Sequence, residues 1–148
     1  MSIIRPSYLS LCLIVLLAVL SCCAQGSDSK NNFDGNRLSL QDSIRKANLS
    51  IEKIRNDSNR LQATLEQSLS SNDMINQLVL YRSLGDLHLK NFHFTSAIKS
   101  HGEYLKLSEE LADSLQIVKA LNVLAVDYRK SYQMDNAIRY SFRARKTA

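Results

Sequence analysis

An internal repeat with an offset of 40 residues limits what the C-terminal half of this sequence can fold into. When residues 78–108 are aligned with residues 120–146, apolar positions coincide with apolar ones and small positions with small ones. The matched pairs are Tyr81 with Leu121, Leu84 with Leu124, Gly85 with Ala125, His88 with Tyr128, Phe92 with Tyr132, Ala97 with Ala137 and Ile98 with Ile138. A period of this length is typical of stacked supersecondary units, each of which buries its apolar face against a neighbour.

Helices are the only regular elements that the composition favours. The chain of 148 residues contains one proline and four glycines, and Gly85 and Gly102 are the only two of these residues after Gly35. Leu, Ile, Ala, Lys, Glu, Gln and Ser dominate the remainder, and apolar residues recur at helical spacing. The sequence therefore predicts an all-α fold of antiparallel helical hairpins.

The repeated positions have definite packing roles. A large residue, then Leu three positions later, then a small residue lets the first helix of a hairpin approach its neighbour closely, and an alanine does the same for the second helix. Thr95 and Asp135 are expected to be the N-caps of the two second helices. The predicted packing residues are Tyr81, Leu84, Gly85, Ala97, Leu121, Leu124, Ala125, Tyr128 and Ala137.

This spacing resembles the tetratricopeptide repeat, with a first repeat at 74–112 and a second at 113–148. The first repeat departs from that pattern by placing His88 where an aromatic is usual and Tyr104 where a small residue is usual. The longer period resembles the extracytoplasmic repeats of Bacteroides-type tetratricopeptide lipoproteins and sensor or regulator proteins. The resemblance covers about half of the chain and implies a short helical solenoid that binds proteins or peptides.

Residues 38–70 precede the repeats and also show helical periodicity. One apolar stripe could run through a single long helix, which would permit a coiled coil. The polar cluster at 56–59 instead favours two antiparallel helices, at about 38–55 and 58–70. Both alternatives make this segment a degenerate leading unit, and a second polar cluster at 70–73 predicts the start of the next helix.

The N-terminus has the pattern of an export signal. Residues 1–21 contain one positive charge, Arg5, followed by an apolar run too short for a comfortable membrane span. The sequence before Cys22 resembles a bacterial lipoprotein box, which implies lipidation of Cys22 and a location in the cell envelope. An ordinary cleaved signal peptide and a retained anchor are the alternatives. Residues 22–37 are polar and predict a flexible tether.

Few kinds of chemistry are compatible with the remaining sequence. All three cysteines, Cys12, Cys22 and Cys23, lie near the N-terminus, so disulfides and thiolate metal sites are not expected in the body. His88, His93 and His101 lack the short paired spacing of metal ligands. No phosphate-binding loop or nucleophile motif is present, so no catalytic site, metal or cofactor is predicted. The net charge of +5 is too mild and too dispersed to indicate nucleic-acid binding.

The resemblance also implies a concave face that binds a peptide. It places there Arg82, Asp86, Leu89, Lys90, Lys119, Asn122, Val126, Arg129 and Lys130. Five of these nine residues are basic, which favours an acidic peptide or a terminal carboxylate. The alternative is an ordinary solvated helix surface.

Two functions fit the sequence. The first is a non-catalytic scaffold, exposed outside the cytoplasmic membrane, that binds a protein or peptide. The second is the N-terminal sensor part of a longer signal-transduction protein, a histidine kinase or helix-turn-helix regulator. The sequence ends within the second repeat without a polar capping helix, so we expect further repeats in a longer chain.

Overall fold

In the computed structural model, residues 28–148 are described, and they form helices joined by short turns. The all-α fold class predicted from the sequence is confirmed for this part of the chain. The helices are α1 (Asp28–Ile51), α2 (Ser58–Ser70), α3 (Met74–Lys90), α4 (Phe94–Glu110), α5 (Ser114–Lys130) and α6 (Met134–Thr147), with a 3₁₀ turn at Glu52–Ile54. The predicted signal segment 1–21 and Cys22 lie outside the described residues.

Helix α1 begins earlier than the sequence analysis expected. It starts at Asp28 and therefore includes residues 28–37, for which the sequence predicts a tether. These residues contain no proline that would stop a helix formed from Leu38 onward, although Gly35 and three asparagines have low helix propensity. The chain divides into two compact units after Leu40, and the second unit, Gln41–Ala148, contains all the packing discussed below.

Aspartates cap three of the described helices. The Asp57 carboxylate accepts a hydrogen bond from the backbone N–H of Arg60 at 3.1 Å, and Asp73 accepts one from Asn76 at 3.0 Å. Asp113 accepts from Leu115 at 3.0 Å and from Gln116 at 3.3 Å. These bonds satisfy N–H groups that have no partner inside the helix, which is why α2, α3 and α5 start where they do.

The expected N-caps Thr95 and Asp135 are wrong by two residues. The N-cap positions of α4 and α6 are His93 and Gln133, and neither side chain makes a capping hydrogen bond. Backbone turns set these starts, because the N–H of His93 donates to the carbonyl of His88 at 2.9 Å. Thr95 and Asp135 therefore lie inside the first helical turn.

The same three-residue turn closes four successive helices. Asn72, Phe92, Ala112 and Tyr132 each have a positive φ, of 53°, 61°, 50° and 62°, and they are 20 residues apart. The residue after each of them donates its N–H to the carbonyl five positions earlier, as in a Schellman turn. Helices α3, α4 and α5 are consequently all 17 residues long.

Each helix from α2 to α5 packs against the next one in the chain. Three-residue turns make the neighbours antiparallel, so the described chain forms a repeating series of helical hairpins. The most deeply buried side chains include Leu61, Leu78, Leu80, Tyr104, Leu121 and Leu124. None of the described helices has the length and apolar character needed to cross a membrane.

A glycine at position 112 should stabilise the fold. Ala112 adopts a left-handed backbone conformation that costs an L-residue about 1 kcal/mol, and its side chain is exposed. Ala112→Gly is therefore expected to raise the free energy of unfolding by about 0.5–1 kcal/mol in urea denaturation. Ala63→Gly, at an exposed position inside α2, should lower it by about 1 kcal/mol. Equal losses in both variants would contradict the assigned turn.

Candidate functional site: a buried ion pair and an open groove

A histidine and an aspartate meet in the interior between α4 and α5. The Nδ1–H of His101 donates to Oδ2 of Asp127 at 2.6 Å, and both side chains are fully buried. On the other side of the ring, Nε2 lies 3.5 Å from Oδ1 of Asp86, which is 41% exposed. Two carboxylates on α3 and α5 thus flank one imidazole from α4.

This environment favours the protonated ring. Burial alone lowers the pKa of His101, but the hydrogen bond to Asp127 and the negative charges of Asp127 and Asp86 raise the pKa to about 9. At neutral pH the pair is therefore imidazolium with carboxylate. A charge pair without solvent contact is costly to form, and removal of either partner leaves an uncompensated charge in the interior.

Gly85 provides the space for the His101 ring. A Cβ atom at this position would lie 2.3 Å from both Cδ2 and Nε2 of the imidazole. The repeat pattern predicts only a close approach of helices at Gly85, and the structure supplies the specific reason. At the equivalent positions of the second hairpin, Ala125 replaces the glycine and Ser141 replaces the histidine.

Further polar contacts continue from the ion pair along α4. The hydroxyl of Tyr104 is fully buried and donates to Oε1 of Gln116 at 2.7 Å. Burial, the largest influence, raises the pKa of this phenol to about 12, so it remains a donor. The guanidinium of Arg82 lies 6.0 Å from the Tyr104 ring centre. Gln41 of α1 completes the chain of contacts by donating to Asp113.

An open groove lies between α5 and α6. Its volume is about 470 Å³. Three of its apolar side chains are largely exposed, with Met134 at 52%, Ile138 at 67% and Phe142 at 61%. Its lining comprises Asn122, Ala125, Val126 and Arg129 of α5, and Met134, Ala137, Ile138, Ser141, Phe142 and Arg145 of α6. The guanidinium of Arg145 lies 5.3 Å from the Phe142 ring centre, so a cation stands over the apolar surface.

A second, smaller cleft lies elsewhere on α5 and α6. The rings of Tyr128 and Tyr140 stack there with centres 5.2 Å apart. Arg139 and Arg143 complete this cleft, and Arg143 pairs with Glu109 of α4. The ion pair at this cleft therefore connects α6 to α4.

The predicted binding residues fall into separate locations. Asn122, Val126 and Arg129 line the open groove, whereas Asp86 flanks the buried histidine and Arg82 lies against Tyr104. Lys90 and Lys130 are the exposed last residues of α3 and α5. Leu89 and Lys119 are partly exposed outside the groove lining. Only part of the predicted concave face therefore contributes to one cavity.

The predicted packing residues are mostly in the core. Those that are buried are Leu84, Gly85, Ala97, Leu121, Leu124, Ala125 and Ala137. Tyr81 and Tyr128 are only partly buried. Phe92 and Tyr132, which matched each other in the repeat, are 75% and 88% exposed, because they occupy the turns and not the interfaces.

The histidines outside the ion pair lie at one end of the first hairpin. The rings of His88 and His93 are 6.2 Å apart and tilted. Burial, and then the proximity of His93 and His101, lowers the pKa of His88. Within residues 28–148, no cluster of His, Cys, Asp and Glu side chains is arranged to hold a metal ion.

Comparison with known proteins gives no match: no protein-family model, curated protein sequence or solved structure is significantly similar to this chain.

The ion pair is not predicted by any motif in the sequence. His101 and Asp127 are separated by 26 residues, and neither belongs to a recognisable motif. A signal nevertheless exists inside the repeat. Gly85 occurs with His101 in the first hairpin, and Ala125 occurs with Ser141 in the second. The hairpin that has the histidine ring also has the glycine, and the hairpin that lacks the ring has an alanine. A tight contact between the two positions produces this pattern.

Two helical glycines allow a matched test of the ring position. Gly85→Ala should lower the free energy of unfolding by about 2–3 kcal/mol, because the new methyl group overlaps the His101 ring. Gly102→Ala meets no atom within 4 Å and should raise it by up to about 1 kcal/mol through helix propensity. Urea denaturation of both variants is the measurement, and similar values for the two would refute the contact.

The ion pair should make the free energy of unfolding decrease as the pH rises. Because the pKa of His101 is about 9 in the folded chain and near 6.5 unfolded, its stabilisation is complete below pH 6.5. This stabilisation is lost as the pH rises through 9. Its full contribution to the free energy of unfolding is roughly 3 kcal/mol. The double variant His101→Gln, Asp127→Asn removes both charges and should lose this dependence. Urea midpoints between pH 6 and pH 10 measure it, and parallel profiles for variant and wild type would contradict the assignment.

Proposed function

We propose that this chain is a non-catalytic helical-repeat scaffold of the bacterial cell envelope, and that the groove between α5 and α6 binds a helix or peptide of a partner protein. The repeat arrangement supports a short tetratricopeptide-like solenoid. The export pattern in residues 1–21 and the cysteine at position 22 support the location. Scaffolds of this type need no cofactor, because binding depends on surface shape and charge.

The exposed apolar floor of the groove carries this proposal. Met134, Ile138 and Phe142 lie along one side of α6 at intervals of four residues, and each exposes more than half of its side chain. Contiguous apolar surface on a folded chain is typical of interaction sites. The regular spacing presents anchoring positions like those by which an amphipathic helix is held in a groove.

The basic residues beside the floor indicate the chemistry of the partner. Arg129 and Arg145 are exposed at the edges of the groove. Neither forms an ion pair with an acidic side chain within the described part of the chain. Arginine combined with apolar surface binds carboxylates well, since the guanidinium is weakly hydrated and donates several hydrogen bonds. An acidic protein segment is therefore the proposed ligand class.

Site-specific photocrosslinking in the cells that make the protein tests this function. With p-benzoylphenylalanine in place of Phe142 in the full chain, we expect a covalent adduct with one defined protein. The same replacement at Phe92 is a matched control, because Phe92 is an exposed aromatic residue in a turn outside the groove. It should give no such adduct.

A second variant connects the adduct to the groove. Ile138 is 67% exposed, so Ile138→Asp should leave the fold intact while placing a charge in the apolar floor. We expect this change to abolish the adduct formed at position 142. Equal adducts at positions 92 and 142, or an adduct at 142 that survives Ile138→Asp, would overturn the proposal.

A further inference from the structure

Two turns at one end of the hairpins expose an aromatic side chain. Phe92, between α3 and α4, is 75% exposed, and Tyr132, between α5 and α6, is 88% exposed. Because successive helices are antiparallel, these two turns lie at the same end, and the turns at Asn72 and Ala112 lie at the other end. We name one surface the aromatic edge, and it consists of Lys90, Phe92, Lys130 and Tyr132.

Packing does not account for the two aromatic residues. Both have a positive φ, of 61° and 62°, which is unfavourable for a bulky L-residue and is usually adopted by glycine or asparagine. The turns at the other end have an asparagine and an alanine at this position. The ring of Phe92 contacts that of Phe94, with centres 6.3 Å apart, and yet it stays largely in water. Two equivalent turns thus hold a large apolar side chain in a strained and exposed position, which indicates a contact outside the fold.

The exposure of the aromatic edge does not depend on where the sequence ends. Phe92 belongs to the α3–α4 hairpin, in which α2 packs on α3 and α5 packs on α4. Its side chain is exposed although a helix is present on each side. Tyr132 occupies the equivalent position 40 residues later and is exposed to a similar extent. The exposed aromatic is therefore a property of the turn within each hairpin.

A lysine accompanies each aromatic residue. Lys90 and Lys130 are the exposed last residues of α3 and α5, two positions before Phe92 and Tyr132. Cations are favourable at any helix C-terminus, but the last turns of α2 and α4 contain no basic residue, and α4 ends in Glu110. The helix dipole therefore does not explain why the lysines occur beside the aromatic residues.

The two ends of the hairpins differ in charge. At the aromatic edge, Arg129 offsets Asp135, so the two lysines leave a net positive charge. At the other end, the turns and the helix ends beside them mix acidic and basic residues, which are Asp73, Glu109, Glu110, Asp113, Arg145 and Lys146. An anionic surface therefore fits the aromatic edge better than the opposite end.

A lipid bilayer fits this combination better than a folded protein does. Each turn presents one aromatic side chain between polar neighbours, whereas a protein interface requires a contiguous and complementary patch. A membrane interface accepts separate aromatic rings at the level of the headgroups, and anionic headgroups attract lysines nearby. The proposed location in the cell envelope would place such a surface within reach.

We propose that the aromatic edge docks reversibly on an anionic membrane surface, with Phe92 and Tyr132 among the headgroups and Lys90 and Lys130 against lipid phosphates. This proposal goes beyond the proposed function, because it uses neither the groove nor a protein ligand. Two rings and two lysines bind only weakly by themselves. The contact therefore orients a chain that the proposed N-terminal lipid or signal segment already holds at the membrane.

Single tryptophans report this contact, because the chain contains none. Phe92→Trp and Tyr132→Trp each place one fluorophore at the aromatic edge. Leu115→Trp is the matched control, since Leu115 is 43% exposed and lies at the other end of the hairpins. The full-length variants are mixed with phosphatidylglycerol vesicles that contain brominated acyl chains, which quench tryptophan only within the bilayer. We expect blue-shifted and strongly quenched emission from the first two variants and neither change from the third.

The design separates the aromatic edge from the N-terminal segment. Any binding through residues 1–27 is common to the three variants, so a difference between positions 92 and 115 reports the orientation of the folded part.

Charge changes test the role of the lysines. In the Phe92→Trp chain, Lys90→Gln and Lys130→Gln should each lower the ratio of docked to undocked edge by about fivefold, the contribution of one lysine near an anionic surface. Lys106→Gln is the matched control, because Lys106 is an exposed lysine of α4 toward the other end, and it should have no effect. Phosphatidylcholine vesicles or high salt should weaken the quenching as the lysine variants do.

Several outcomes would overturn the proposal. Equal quenching in Phe92→Trp and Leu115→Trp would exclude an oriented contact, and quenching at position 92 that is insensitive to both lysines would exclude the anionic surface. A concentration-dependent blue shift without vesicles would assign the aromatic edge to a second copy of the chain. A protein adduct at position 92, different from the one at position 142, would assign it to another protein. None of these results decides the fate of the groove, which depends on the adduct at position 142.

Discussion

The imidazolium of His101 and the carboxylate of Asp127 place opposite charges in an interior that is packed mainly with leucine and alanine. Apolar contacts between helices tolerate small shifts, because one leucine can replace another as a neighbour. A buried charge instead requires an oppositely charged neighbour, and the loss of that neighbour is strongly destabilising. Helix α5 must therefore lie on α4 in the register that joins these two residues, and α6 is positioned in turn by its packing on α5. The position of the groove depends on this pair.

The two hairpins share a backbone plan and differ in what they present to a neighbour. Gly85 and His101 give the first hairpin a polar pocket that is satisfied from within the chain by Asp127. In the second hairpin, the equivalent residues Ala125 and Ser141 are uncharged. Arg129 and Arg145 replace Leu89 and Leu105 at the edges of the groove. One set of substitutions fixes an internal contact, and the other leaves apolar and basic side chains exposed. Divergence of a few side chains within a repeat is thus sufficient to change what the same hairpin presents to a neighbour.

The helical fold was accessible from the sequence because the 40-residue match superposes apolar and small positions over two complete hairpins. The turn conformations were not, because Phe92 and Tyr132 have the character of packing residues and yet occupy left-handed turn positions that glycine or asparagine usually fills. The second helices start at backbone-defined positions, so their N-caps could not be located from Thr95 and Asp135. The ion pair joins two residues that belong to no local sequence motif. Tertiary packing alone decides which residues of the predicted concave face lie in the core and which line the groove.

The left-handed residues at 72, 92, 112 and 132 form an evenly spaced series, and this has a consequence for how such a chain can change in length. Each helical residue advances the side-chain direction by about 100°, so insertion or loss of one residue within α4 would turn every later position away from its partner. His101 and Asp127 would then no longer meet. Added sequence preserves the contacts only when it comprises a whole hairpin with both of its turns, so a gene for this chain can lengthen most readily by duplication in steps of 40 codons.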